Sequence, residues 1–195
     1  MPRAGLNTDR VIAEAAELAD KVGLDRLTLA ALAARLGVRQ PSLYKHVASL
    51  DALRRFISMR GKAELADVLG RAAIGRARDD ALVAMAHAWR AWALEHPGRY
   101  QAAERGAAPG DVGHEEVSRR AITVLAVVMD GYGLDGGDAV DAIRAFRAAL
   151  HGFVSLEANE GFAFPGSVDR SFARLVHTLV AALALGRQPN PERVK

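Results

Sequence analysis

LGVRQPSLYKHVASL, residues 36–50, is the stretch on which the reading of the whole chain turns. Leu43 and Val47 stand four apart, the spacing that stacks two side chains on one face of a helical turn. Yet the segment opens on Arg39, Gln40, Pro41 and Ser42, more hydrogen-bonding groups than packing alone requires. Pro41 suits the first turn of a very short helix running to about Val47. Upstream, Thr28 can cap a preceding helix, with Leu29, Leu32, Ala33 and Leu36 inward and Gly37 placed to take the left-handed conformation after it. Only Gly-Val-Arg separates the two, a turn of the length that sets two helices at a steep angle, as in a helix-turn-helix.

A short helix that buries one stripe and displays polar side chains from its N-terminal end meets the requirements of major-groove reading. Gln40 can pair bidentately with adenine and Arg39 with guanine, and the ring of Pro41 can contact a thymine methyl; Ser42 points the same way. Tyr44, Lys45 and His46 are better placed for phosphates, which fix register without reading sequence. Thr28, at a helix start, adds a hydroxyl or amide contact to another phosphate. A solvated three-helix head whose Tyr44 merely packs is the competing reading.

Charge bears on the choice. Residues 1–62 carry 11 Lys and Arg against six Asp and Glu, and the remainder carries 15 against 17. Clustered cations gain by releasing counterions from a polyanion, although charge alone fits a solvated basic surface better. The pattern around Gln40 decides for double-stranded DNA.

The 195 residues are half hydrophobic, enough to bury a core and not the composition of a disordered chain. No cysteine is present, which removes disulfides, thiolate catalysis and Cys-ligated zinc. The longest apolar run, AITVLAVVM at 121–129, is too short to span a bilayer, and the N-terminus lacks a signal-type apolar stretch. A cytoplasmic protein with no membrane partner is expected.

Nearly every periodic segment reads as helix, so an all-α fold is predicted. Asn7 or Thr8 caps the first, with Ile12, Ala15, Ala16, Ala19 and Val22 on one face and Gly23 ending it. Ser49 caps a fourth over about 50–70, with Leu53, Phe56, Ile57 and Met59 on its apolar side. A fifth runs over 79–95 and is stopped by Pro97; others cover about 115–132, 138–159 and 168–185. GAAPGDVG, GYGLDGG and GFAFPGS break them, and the tail 186–195 is expected to be disordered.

LNTDRVIAEAAELADKVGLDRLTLAALAARLGVRQPSLYKHVASLDAL, Leu6 to Leu53, resembles the DNA-binding head of the tetracycline-repressor (TetR) family. The resemblance implies an all-α homodimer: an N-terminal three-helix helix-turn-helix head over 1–48, then a larger helical bundle over 49–185 that binds a small inducer and dimerises. It implies a ligand-responsive regulator, a repressor released from a palindromic operator. Gln40, Pro41 and Ser42 would face bases, with Tyr44, Lys45 and His46 at or near the backbone. Two departures stand out: Ala30 replaces an arginine that reads a base in tetracycline repressors, and Leu50 replaces a lysine that usually clamps a phosphate. A different operator and weaker binding are implied. AHAWRAWALEHPGRY at 86 and RAALHGFVSLEANEGF at 147 resemble the WHG-type effector domains more loosely, since Arg147 and Ala148 stand where the motif's tryptophan is expected.

Within the body, Ala145, Ala148 or Ala149, Gly152 and Ser155 form a small-residue stripe that would let another helix approach closely. Phe172, Leu175, Val176, Leu179, Val180 and Leu183 give the last helix a broad apolar face. Paired with symmetry mates, the two helices would build a four-helix dimer interface; filling their own core is the alternative. The inducer-pocket candidates are Phe56, Met59, Met85, Trp89, Trp92, Met129 and Phe146, with His151 or Asn159 as polar partners.

The enzyme alternative rests on G-x-G-x-x-G at Gly131, Gly133 and Gly136 after the β-branched run ITVLAVV, with Glu157 as the ribose-binding acid of a nucleotide or cofactor site. A helix ending at Asp130 followed by a glycine turn explains the same residues, so neither an enzyme nor a cofactor is expected. His114, Glu115 and Glu116 match no metal spacing and read as a solvated helix start. His87, His151 and His177 lie on or beside apolar faces, where bonding to a neighbouring carbonyl is the commoner role.

Overall fold

A computed structural model describes residues 6–185; the expected disordered tail, 186–195, lies outside the described residues. All regular structure among them is helical. The order is α1 (Thr8–Val22), α2 (Leu29–Leu36), a short 3-10 helix (Gln40–Lys45), α3 (Leu50–Ala73), α4 (Arg78–Glu95), α5 (Pro97–Ala103), α6 (Val112–Asp130), α7 (Gly136–Ala158) and α8 (Val168–Leu185).

Local chemistry sets the early boundaries. The Asn7 side chain accepts from Arg10 N at 2.8 Å, Thr28 Oγ1 from Ala31 N at 3.1 Å and Ser49 Oγ from Ala52 N at 3.0 Å, each satisfying an orphan donor of a first helical turn. Gly37 ends α2 at φ 67°, ψ 31°, the left-handed conformation that only glycine adopts without a steric penalty.

The chain packs as two compact units. The first takes the described part of Met1–Leu65 together with Ala93–Arg120. Its core gathers Val11, Ala15, Ala16 and Ala19 from α1, Leu29, Leu32 and Ala33 from α2, then Leu43, Val47, Leu53, Ile57 and Ala102. These units follow packing rather than the functional division expected at 48/49, because Leu53, Ile57 and Ala102 share the core of the helix-turn-helix. On α1, Val11 is buried where Ile12 was expected, and Ile12 is half-buried.

α5 is not foreseen by the sequence reading, which takes Pro97 as a stop. Pro97 also occupies the first turn of a new helix, where its missing N–H loses nothing. α5 lies against α1 so closely that a Cβ on Gly98 would come within 2.2 Å of the Ala19 carbonyl. Asp20 on α1 accepts from Arg99 N at 2.8 Å, and Arg99 Nη1 donates to Glu64 at 2.9 Å. Arg99 Nε also sits 2.8 Å from Asp20 Oδ2, as an ion-pair contact without hydrogen-bond alignment.

The second unit takes Ala66–Trp92 and the described part of Ala121–Lys195. Leu82, Met85 and Trp89 of α4, Leu125 and Met129 of α6, Phe146, Leu150 and Val154 of α7, and Phe172, Val176 and Val180 of α8 are buried. Tyr132, just past α6, donates its hydroxyl to Asp79 at 2.7 Å. Among the described residues no helix is long and apolar enough to cross a membrane.

Candidate nucleic-acid interface

Between α2 and α3 the chain separates its two kinds of side chain. Leu43 of the 3-10 helix is 0% exposed and Val47, two residues past its end, 2%, seating the segment in the first unit's core. Arg39, Pro41, Tyr44 and Lys45 are exposed, and Gln40, Ser42 and His46 are half-buried. Apart from Leu43, residues 39–46 keep side-chain surface exposed, as a polar edge on this short element. The winding is 3-10, closed by i→i−3 bonds such as Ser42 N to Arg39 O at 2.9 Å and His46 N to Leu43 O at 2.8 Å, with Pro41 in its first turn.

Within the edge, Gln40 Nε2 lies 3.4 Å from Tyr44 Oη, so the two outward groups share one hydrogen bond. His46 Nδ1 stands 3.4 Å from Thr8 Oγ1 at the start of α1. Thr28 already accepts from Ala31 N, and its hydroxyl proton stays available for an external acceptor. Not every nearby cation belongs to the edge: Arg35 is held by Glu14 at 2.8 Å and Glu17 at 2.6 Å, bracing α2 against α1. Ala30 is exposed on α2 and offers no hydrogen-bonding side chain where tetracycline repressors carry an arginine.

Behind the head, still in the first unit, lies a polar cluster that sequence reading misjudged. Glu115 and Glu116 are exposed as expected of a solvated helix start, but His114 is buried and bonds Ser58 Oγ of α3 through Nε2 at 3.0 Å. Asp111 caps α6 by accepting from His114 N at 3.1 Å, and Arg55 clasps the same carboxylate with two N–H donors. That bidentate grip holds the Asp111 carboxyl well down, at about 2, while burial, helped by Lys62, lowers the His114 imidazole and keeps it neutral. The cap also explains why α6 starts at Val112, three residues before the expected Glu115. Only the pairing of a histidine with a serine 56 residues away would have signalled the burial, and spacing does not encode it.

The pocket candidates fall in both units and differ in burial. Phe56 and Met59 are half-buried in the first unit; Met85, Met129 and Phe146 are packed as core in the second, with Trp89 and Trp92 nearly so. His151 is half-buried, and Asn159 is exposed with its amide donating to Ser155 O of its own helix at 2.7 Å. Of the dimer candidates, Phe172, Val176 and Val180 are buried in the second unit. Ala148 is exposed, and Ala149, Gly152, Leu175 and Leu179 are half-buried.

The nucleotide-site alternative fails on geometry. Residues 122–128 lie inside α6 rather than in a strand, α6 ends at Asp130, and Gly133 and Gly136 take positive φ in the turn before α7. Glu157 forms a two-pronged bond with Arg90, at 2.7 and 2.5 Å, instead of awaiting a ribose.

Known proteins agree with the helix-turn-helix reading. Residues 11–57 match the family described as "Bacterial regulatory proteins, tetR family", and residues 82–179 match "Tetracyclin repressor-like, C-terminal domain". The chain is 40% identical over 181 residues to the HTH-type transcriptional regulator Rv0681 of Mycobacterium tuberculosis, covering 92% of this chain and 83% of that protein. It is 33% identical over 189 residues to the HTH-type transcriptional regulator YobS of Bacillus subtilis, covering 96% and 97%. Among solved structures, a variant of TetR from Acinetobacter baumannii AYE in complex with minocycline superposes with a TM-score of 0.68 at 27% identity, over 91% of this chain and 96% of that one. These relatives are transcriptional regulators and not enzymes. From its head motif through its helical body, the chain belongs to the TetR family of DNA-binding transcriptional regulators.

Proposed function

We propose that this regulator is a ligand-responsive repressor, acting as a homodimer on a palindromic operator and released by a small, largely apolar inducer. Residues 1–48 serve as the DNA-binding head and 49–185 as the effector-binding and dimerisation part. The observation that carries the reading is the edge over Leu43 and Val47. There Arg39, Gln40, Pro41 and Ser42 stand ready for base edges, and Thr28, Tyr44, Lys45 and His46 for phosphates. A two-fold dimer presents two such edges to successive major grooves, which is why the operator is palindromic.

Dimerisation finds support in what α7 and α8 leave uncovered. Ala148, Ala149 and Gly152 keep the α7 surface low, and a Cβ built on Gly152 meets nothing within 4 Å, so a partner helix has room to approach. Leu175 and Leu179, half-buried on α8, supply the apolar part. Inducer control is linkage: a ligand favouring a head spacing that misses successive grooves weakens operator binding by the factor by which the operator weakens the ligand. The minocycline complex of the A. baumannii relative supports a small-molecule effector.

Fluorescence anisotropy on the DNA upstream of the protein's own gene tests this reading. Saturable, salt-sensitive binding to one palindromic segment, at a stoichiometry of two chains, is expected. Equal affinity for scrambled DNA at every salt concentration would leave only a non-specific binder.

A further inference from the structure

We propose that the cavity under the α7–α8 loop of the second unit is a binding site for a neutral aromatic molecule of about two rings. Its volume is about 360 Å3, and Phe153, Phe162, Phe164, Pro165, Val168 and Ser171 supply most of its wall. The assignment deepens the ligand-responsive reading and rests on it for its regulatory meaning.

Two rings of the wall, Phe153 and Phe162, are held in place before any ligand arrives. Arg90 of α4 bonds Glu157 near the end of α7 and Asp169 at the start of α8, at 2.5 and 2.7 Å, so one side chain fastens both ends of the loop. The same guanidinium lies 4.9 Å from the ring centre of Phe172 and 6.0 Å from that of Phe153. Phe153 in turn contacts Phe172 at 5.1 Å and Phe162 at 4.8 Å. Edge-on and tilted ring contacts running from Phe172 in the core to Phe153 and Phe162 position two rings of the wall, which lowers the ordering cost of binding.

Chemistry then selects the ligand. Phe164 is 93% exposed, an apolar ring without cover that a ligand would shield from water. The lining itself carries no Lys or Arg, and Arg90, which fastens the loop, is already taken by Glu157 and Asp169, so a ligand carboxylate would enter without a counter-charge from the wall. Ser171 donates its hydroxyl proton to Ser167 O at 3.2 Å, which leaves its oxygen lone pairs to accept from a ligand hydroxyl or N–H. Cavities of this size hold small apolar molecules bearing one or two polar groups.

Calorimetry on the full chain with para-hydroxybiphenyl as probe, and biphenyl carboxylate as its charged counterpart, tests the assignment. Saturable binding of the phenol is expected, with the carboxylate at least about tenfold weaker. Phe164→Ala, at a position too exposed to matter for folding, should weaken the phenol about five- to tenfold. Ser171→Leu, which fills the cavity from an exposed position, should abolish binding. No saturable binding of the phenol, a preference for the carboxylate, or affinity unchanged in both variants overturns the site. Operator anisotropy separates the two readings. If the phenol binds in a Ser171-dependent way but leaves DNA affinity unchanged, the site stands and inducer control falls. If some other compound releases DNA equally from the wild type and Ser171→Leu, inducer control stands and this site falls.

Discussion

The helix-turn-helix and the α7–α8 loop treat the same kinds of side chain in opposite ways. In the head, Leu43 and Val47 are sealed inward while Gln40, Tyr44 and Lys45 face outward; in the loop, Phe164 stands in water and the charges of Arg90 and Glu157 are turned in and paired. A surface that reads DNA must spend its apolar groups on anchoring so that hydrogen-bonding tips are held still. A surface that meets an apolar ligand must do the reverse. The head's seat therefore depends on very few side chains, whereas the loop depends on one ionic clasp.

Removing the head's anchor should have the largest effect. Leu43→Ala deletes a fully buried side chain from a small core, at a cost of about 2–5 kcal/mol, and should abolish operator binding along with the head's thermal transition. If Leu43→Ala bound DNA like the wild type, the polar edge would not depend on its underside, and the contrast with the loop would disappear. Next comes the loop's clasp. Arg90→Gln leaves the Glu157 carboxylate half-served in a largely enclosed site, and about 2 kcal/mol is expected in urea denaturation after allowing for the exposure of Asp169. The loss should fall on the second unit's transition and leave Gln40-dependent DNA reading intact.

That contrast was only half legible in the sequence. The head was readable because its information is local: caps at Asn7, Thr28 and Ser49, a glycine at 37, and two apolar residues four apart all lie within reach of one another. The loop's clasp joins Arg90 to Glu157 across 67 residues, and no periodicity announces such a partner. α5 was hidden because proline both ends one helix and begins another, and only the groove beside Ala19 shows that the second use applies. Met85, Met129 and Phe146 were recognisable as apolar positions, but pattern cannot distinguish a core from a pocket lining.

Within the head itself, roles can be separated. Gln40→Ala should relax preference at one base position by about 1–3 kcal/mol, whereas Tyr44→Phe should weaken all sites alike. Because Gln40 Nε2 contacts Tyr44 Oη, the double variant should show coupling on the cognate site and none on scrambled DNA. Selection from a randomised operator library is the measurement; identical sequence preferences for the two single variants would erase the division between reading and positioning.

The buried histidine gives a smaller, pH-dependent effect in the first unit. A histidine whose folded value is lowered binds fewer protons folded than unfolded, so its contribution is complete above the ordinary value of 6.5 and is lost as pH falls below it. Asp111, held at about 2 by Arg55, acts in the same direction further down, losing its contribution as pH falls from the ordinary 3.8 towards 2. Urea midpoints should therefore decline from neutral pH towards pH 5 in the wild type, and His114→Gln should flatten that decline while leaving the acid limb due to Asp111. A wild-type midpoint constant through that range would mean that His114 titrates as freely as a solvent-exposed ring.

The smallest effect should come from the residue that looks most out of place. Phe164 has almost no surface left to lose from the fold, so Phe164→Ser should change stability by no more than about 0.5 kcal/mol. The size of that number separates two kinds of exposed apolar residue. A phenylalanine that contributes nothing to the fold yet weakens aromatic ligand binding when removed is there for what it meets from outside. If Phe164→Ser instead destabilised the second unit as Arg90→Gln does, the ring would belong to the loop's own packing, and the opposition between head and loop would reduce to two versions of the same anchoring.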